Sequence, residues 1–318
     1  MPFARSLLAA AALCASGALA QSYPSKPINL VVSMEAGGMT DILGRAIGRA
    51  FAERNNPPFV VENRPGAAGV AAANVCAKGR PDGYAICILP RDNISIMPFQ
   101  EKLPYDPLKD FEPVSNLLFL ESVLVVNASL PVSNFKELVE YSKKNPDALN
   151  YAAFATSQAI MQWIALQTGA KWTFIPYKGG VSANQAFAAG HVQVMYLSLG
   201  APGTLGQIKA GKAKALAVSS PRQRLLPDVP SLEEVGLPPF NVRTWFGLFA
   251  PAGTPREAVN KLSGEMAAIV RNEEFQAKTL LPMGLVPVGS TPEEFARFIA
   301  EDRKYGAELA KLLGTRDR

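Results

Sequence analysis

His191 is the only imidazole in this chain of 318 residues, and it falls in Ala189-Gly190-His191-Val192, a turn running into a strand. A histidine acting as general base needs a nucleophile beside it. None adjoins His191, which reads as a solvated turn residue. The chain has no G-x-S-x-G elbow, no phosphate-binding P-loop and no G-x-G-x-x-G fingerprint. Gly200, Gly203 and Gly206 have the wrong spacing for the last and sit among Pro202 and Thr204, as in a surface loop. One histidine and three cysteines are too few for a His-based or all-thiolate zinc site. No pair of acids stands apart from amphipathic helix faces and caps. An enzyme, a metal and a cofactor are therefore not expected.

The chemistry that does stand out is anion binding. The strand ending at Val32 passes through Gly37-Gly38 into a helix beginning near Thr40-Asp41. Glycines let the backbone approach a ligand, and the first N–H groups of a helix are unpaired and carry the positive end of its dipole. A carboxylate or phosphate fits there. A plain tight turn, with Asp41 complementing the dipole, fits these residues equally well. A second turn of the same kind, Tyr177-Lys178-Gly179-Gly180, favours the first reading, because two lobes could each present a helix start to one cleft. Lys178 is either a ligand partner or a solvated turn lysine.

These turns need elements to hold them. Leu43, Ala46, Ile47, Ala50 and Phe51 recur with helical spacing and make one apolar face. Short strands are predicted at 28–32, 59–61 and 84–89, with helices between, the alternation of a parallel α/β sheet. The middle repeats it. Strands are predicted at 123–126, 174–176, 192–197 and 213–218, with helices from Ser133 to Tyr141 and from Ser157 to Thr168. Thr254-Pro255-Arg256-Glu257 and Thr291-Pro292-Glu293-Glu294 both read as capping boxes opening helices. Trp245 to Phe249 reads as a strand crossing between lobes. The expected organisation is two similar lobes, each a mainly parallel sheet flanked by helices. Residues 21–124 with 247–318 form one lobe and 125–246 the other.

Composition agrees with a globular protein, at 48% hydrophobic and 19% charged residues. A net charge of +5 without a basic block makes nucleic acid an unexpected partner. Arg5, the apolar Leu7–Gly17 run and Ala18-Leu19-Ala20 have the layout of a secretory signal cut after Ala20. Leu13 before Cys14 is a poor fit to a lipoprotein box. Cys76 and Cys87 then remain, and an oxidising compartment permits their pairing. Cys76 reads as helical and Cys87 as strand, and nothing in the sequence brings them together.

Ten short motifs in order give the chain a resemblance to a known family. They include Tyr23-Pro24-Ser25-Lys26-Pro27-Ile28, Ala36-Gly37-Gly38 with Asp41, Val61-Glu62-Asn63-Arg64-Pro65-Gly66, Pro81-Asp82-Gly83-Tyr84 and Leu103-Pro104-Tyr105-Asp106-Pro107. Pro176-Tyr177-Lys178-Gly179-Gly180, Asp228-Val229-Pro230, Gly236-Leu237-Pro238, Trp245-Phe246-Gly247-Leu248 and Ala250-Pro251-Ala252-Gly253-Thr254-Pro255 follow. The chain resembles the periplasmic solute receptors of the tripartite tricarboxylate transporter family, also called Bug receptors. The resemblance implies a two-lobed periplasmic clamshell (α/β, Venus-flytrap type) that closes on a small organic acid and delivers it to membrane transporter subunits, and a monomer is expected. A sensor presenting its closed form to a membrane signalling protein would look the same. The ligand residues it implies are Met34, Glu35, Gly37, Gly38, Thr40, Asp41, Thr156, Ser157, Gln158, Tyr177, Gly179, Leu197 and Ser198.

Three stretches depart from the family pattern. Ser33-Met34-Glu35 stands where Pro-Phe-Pro is common. The second loop, Ala153 to Gln158, is short. Gln193 and Leu197 stand where acids are frequent. Either these are ordinary drift, or the ligand is more apolar or bears an amine. An acid at Glu35 would repel a carboxylate unless it points away, is protonated or meets an amine.

Overall fold

The computed structural model describes residues 23–314, apart from 154–155, 178–179, 202, 221–223 and 240–242. The expected signal segment and Gly179 lie outside the described residues.

Strand β1 (Ile28–Val32) is buried along almost its whole length. An apolar run broken only by Asn29, without regular polar alternation, suits a central parallel strand buried on both faces. β2 (Phe59–Asn63) and β3 (Ala85–Pro90) flank it, both parallel to it. Helix α1 (Met39–Glu53) joins β1 to β2 and buries Leu43, Ile47 and Phe51 against Leu30 and Val32. Each such side chain contributes about 2 kcal/mol. Gly44 and Gly48 set how near the helix lies, because a Cβ at either would stand 3.1 Å from Leu30 or Phe59. Helix α2 (Val70–Ala77) returns to β3 and packs with Val31 on the other face, as the alternation of side chains along β1 requires. That fold-back places Cys76 against Cys87. The two are buried and joined in a disulfide with Cα atoms 6.0 Å apart. The sequence offered no reason to pair them; the strand–helix–strand unit supplies one.

The first sheet has six strands in the order β11 (Leu285–Pro287), β4 (Phe111–Leu120), β10 (Thr244–Pro251), β3, β1, β2. The second has five, in the order β7 (Thr173–Phe174), β6 (Asn150–Ala152), β8 (Val194–Ser198), β5 (Ser122–Asn127), β9 (Ala213–Val218). Helices α3 (Phe135–Lys144), α4 (Thr156–Thr168), α5 (Gly180–Ala188) and α6 (Thr204–Lys209) belong to the second lobe. The clamshell is as expected, but the sheets are mixed rather than mainly parallel. β10 runs antiparallel to β3 and β4, and β5 antiparallel to β8 and β9. Strands that arrive from the other lobe enter each parallel unit in the reverse direction.

The same crossings correct the expected lobe limits. A break between 124 and 125 would cut β5, and one between 246 and 247 would cut β10. Strand pairing puts the first crossing at Glu121, between β4 and β5, and the second before Thr244. Helix α8 (Pro292–Leu313) belongs to neither lobe alone. Phe295 and Ile299 sit in a core cluster of the first, and Leu309 and Ala310 in the core of the second.

Its capping box is complete: Glu294 N donates to Thr291 Oγ1 at 3.2 Å and Thr291 N to Glu294 Oε2 at 2.9 Å. The box expected at Thr254 is absent. Helix α7 (Arg256–Val270) starts after Pro255 without a side-chain cap, and Thr254 Oγ1 donates instead to Pro251 O at 2.7 Å. The strand expected at 174–176 is β7, two residues long and set one residue earlier.

Candidate functional site

A cleft of about 510 Å³ lies between the lobes. Its lining comes from the loop after β1 (Ser33, Met34), the first residue of α1 (Met39), the loop after β2 (Gly66, Ala68, Gly69), the last residue of β3 (Pro90) and Asp92 just past it. Leu120, Ser122, Thr244 and Phe246 join it from the crossing strands. The second lobe supplies Thr156, Ser157 and Ile160 of α4, Asn184 of α5, and Met195 to Ser198 of β8. Ligands in open α/β sheets bind outside the carboxyl ends of the strands, and β1, β2 and β3 all end here. The first residue of α1 and the first two of α4 line it from opposite sides.

Five of the expected ligand residues line this cleft: Met34, Thr156, Ser157, Leu197 and Ser198. The other described ones lie outside this lining. Glu35 is exposed and outside the lining. Gly38 N donates to Glu35 O at 2.9 Å, and Gly37 N to Asp41 Oδ2 at 2.9 Å, so these two N–H groups are used inside the loop. Asp41 is buried and is not among the cleft's lining residues. Its other oxygen accepts from Arg45 Nε at 2.9 Å and Asn63 Nδ2 at 3.0 Å. The Arg45 hydrogen bond, with those from Gly37 and Asn63, holds this carboxyl down to about 2. Asp41 thus braces the loop and the start of α1. Thr40 is buried with no hydrogen-bond partner for its hydroxyl. Gln158 is half-buried outside the lining, and Tyr177 packs against the second lobe's smaller core cluster. Gln193 serves structure: Oε1 accepts from Asn150 N at 2.8 Å, and Nε2 donates to Gly190 O at 2.6 Å. His191 is exposed in its turn.

Sequence reasoning missed Asp92, the one charged side chain among the described lining residues. Thr156 Oγ1, from the opposite lobe, donates to its Oδ1. Asp92 opens a π-helical turn, Asp92–Ile96, of a type often found at functional sites. That turn is held on several sides. Arg91 pairs with Asp302 of α8 inside the protein, Asn93 Nδ2 donates to Ala68 O at 3.1 Å, and Tyr105 Oη donates to Asn93 O at 3.1 Å. A usable signal existed: Asp92 lies two residues past Pro90, at the end of a central strand. Tyr196 also borders the cleft; burial pushes its phenol well above the usual range, with the nearby Glu121 adding to the shift, so it stays neutral. Glu121 itself is buried between the sheets, accepting from Ser219 Oγ at 2.9 Å and Ser220 Oγ at 2.8 Å.

Two α/β lobes, joined by crossing strands and closing on one cleft, define a solute-binding receptor of the periplasmic kind. The profile of the tripartite tricarboxylate transporter family receptor matches residues 43–314, and the chain belongs to that family. It is 32% identical over 310 residues to protein BugT of Bordetella pertussis, across 93% of this chain and 92% of that one. Among solved structures it is similar to an R. palustris protein with adipate, at 30% identity and a TM-score of 0.77, over 91% of this chain and 98% of that one. It is also similar to MatC of Rhodopseudomonas palustris with bound malate, at 28% identity and a TM-score of 0.73, over 91% of this chain and 100% of that one. A third solved structure it is similar to is the periplasmic binding protein BugD, at 32% identity and a TM-score of 0.74, over 93% of this chain and 100% of that one, and the family is one of transporter receptors rather than enzymes. No helix among the described residues is long and apolar enough to cross a membrane.

Proposed function

We propose that this receptor captures a small organic carboxylate between its lobes and delivers it to the membrane subunits of a tripartite tricarboxylate-type transporter. The observation that carries the reading is the pair of helix starts, Met39 of α1 and Thr156-Ser157 of α4, facing one cleft from opposite lobes. Helix starts favour anions through unpaired N–H groups and the dipole. The hydroxyls of Ser33, Ser122, Ser157 and Ser198 add neutral donors, directly or through water. Met34, Met39, Leu120, Ile160, Leu197 and Phe246 give apolar walls for the ligand's carbon body. Relatives solved with adipate and malate support the carboxylate class.

The chain is exported and trimmed after Ala20, leaving a mature N-terminus at Gln21, and it acts as a monomer. Mass spectrometry of protein from the periplasm tests both parts. The denatured protein should release a bound organic acid, and the chain should begin at Gln21. A retained Met1 contradicts the processing. A protein that neither carries nor binds any carboxylate contradicts the function.

A further inference from the structure

We infer that the cleft is built for a monocarboxylate with an apolar body, a hydrocarbon chain or ring ending in one acid, and selects it over the dicarboxylate of the same length. This rests on the carboxylate reading above and narrows it. Thioethers border the start of α1. Met39 is the first residue of that helix, and the Met34 side chain lies over Gly38 just before it, where an added Cβ would meet Met34 Cβ at 2.8 Å and Sδ at 3.5 Å. Elsewhere the first lobe presents Leu120 and Phe246 to the cleft, and the second presents Ile160, Met195 and Leu197. Among the described lining residues there is no lysine, arginine or histidine. The one acid there, Asp92, accepts from Thr156 and offers a second carboxylate no counter-charge.

These walls are edges of the packed cores. Phe246 belongs to a core cluster of the first lobe, and Leu120 packs against it. Ile160 belongs to the larger core of the second lobe and Met195 to its smaller one, against which Leu197 packs. Side chains fixed in this way do not turn aside to bring polar groups in. Several polar groups at the cleft are already engaged. The Gly37 and Gly38 N–H groups are used within their loop, Thr156 donates to Asp92, and Ser198 Oγ accepts from Gly200 N at 3.1 Å. One carboxylate can use the N–H groups at the start of α1. A second, at the other end of the ligand, would lose its water against methionine, leucine and phenylalanine, and an unpaired charge is costly to bury. A methyl group or ring there is favoured instead, because each methylene moved from water into such a wall tightens binding by up to about fourfold.

The test is isothermal titration of the mature protein with pairs that differ by one carboxylate, hexanoate against adipate and benzoate against terephthalate, together with butyrate and the neutral hexanamide. The parent is expected to bind hexanoate and benzoate at least tenfold more tightly than their dicarboxylate partners, and hexanoate at least fivefold more tightly than butyrate. The heat-capacity change on binding should be more negative for hexanoate than for butyrate, as burial of apolar surface requires. Met34→Gln and Leu197→Asn, each checked by a thermal melt without ligand, should weaken hexanoate at least threefold and narrow its lead over adipate. A parent that binds the dicarboxylates as tightly as their partners, or hexanoate no more tightly than butyrate, overturns the inference and leaves the carboxylate function standing. Variants that weaken hexanoate and adipate equally do the same. Hexanamide binding as tightly as hexanoate would instead overturn the carboxylate function and keep the apolar cleft. If nothing binds to a cooperatively melting parent, both fall.

Discussion

Arg91 and Asp302 form a bidentate ion pair, 2.8 and 3.0 Å apart, with neither side chain exposed to solvent. Asp302 Oδ2 also accepts from Trp245 Nε1 at 2.8 Å. The three residues belong to the end of β3, the crossing strand β10 and the bridging helix α8. The pair therefore ties the turn that carries Asp92 to the elements running between lobes.

Removing one partner should be severe. Asp302→Asn leaves a guanidinium buried without its counter-charge, and losing one member of a buried pair costs about 3–5 kcal/mol. Replacing both residues with apolar ones of similar volume should recover much of that loss. Urea denaturation of the two variants decides it. A cost below about 1 kcal/mol for Asp302→Asn would mean that water reaches the pair.

The disulfide between Cys76 and Cys87 closes a short loop, 11 residues apart in sequence. Cross-links over loops of this size stabilise by about 2–3 kcal/mol, mainly through the unfolded chain. Replacing both cysteines with alanine should lower the urea midpoint accordingly without altering ligand affinity, because neither residue lines the cleft. Denatured mature protein should show no titratable thiol. Two free thiols in protein from the periplasm would contradict the pairing.

Asp41 makes the start of α1 sensitive to acid. Its carboxyl lies at about 2 in the folded protein, below its ordinary 3.8, chiefly through the Arg45 hydrogen bond. A group held lower in the folded state contributes stability above its unfolded value and loses it as pH falls through the folded value. The contribution is therefore full above pH 4 and gone below about pH 2. Asp41→Asn should be less stable than the parent at pH 6, and the difference should shrink between pH 4 and 2. Urea midpoints at several pH values across that range measure it. A constant difference would show that hydrogen-bond geometry, rather than charge, is what the variant loses.

The fold was legible where the pattern is local. The β1–α1–β2–α2–β3 unit follows from apolar runs, one amphipathic face and glycine turns, and 213–218 was placed residue for residue. Strand β4 was missed because Glu112, Pro113, Ser115 and Asn116 break its alternation. It tolerates Pro113 because β11 pairs only with Leu118 to Leu120, leaving that edge open at the proline. The disulfide and the mixed strand directions depend on contacts between distant segments, which spacing does not encode. The site was legible as far as the loop after β1 and the start of α4. Its acid was sought at Glu35, in the loop that departs from the family pattern, and stands instead at Asp92.

That displacement leads to the last prediction. Glu35 is exposed, so water and salt screen its charge from the cleft. At an effective dielectric near 20, like charges about 4 Å apart oppose each other by about 4 kcal/mol. A screened acid outside the lining contributes little of that. Glu35→Gln should therefore change the affinity for monocarboxylates, dicarboxylates and amino-carboxylates by less than about twofold, and equally for all three. If Glu35→Gln strengthens dicarboxylates tenfold and weakens amino-carboxylates, the loop folds its acid onto the bound ligand and Glu35 has a selecting role.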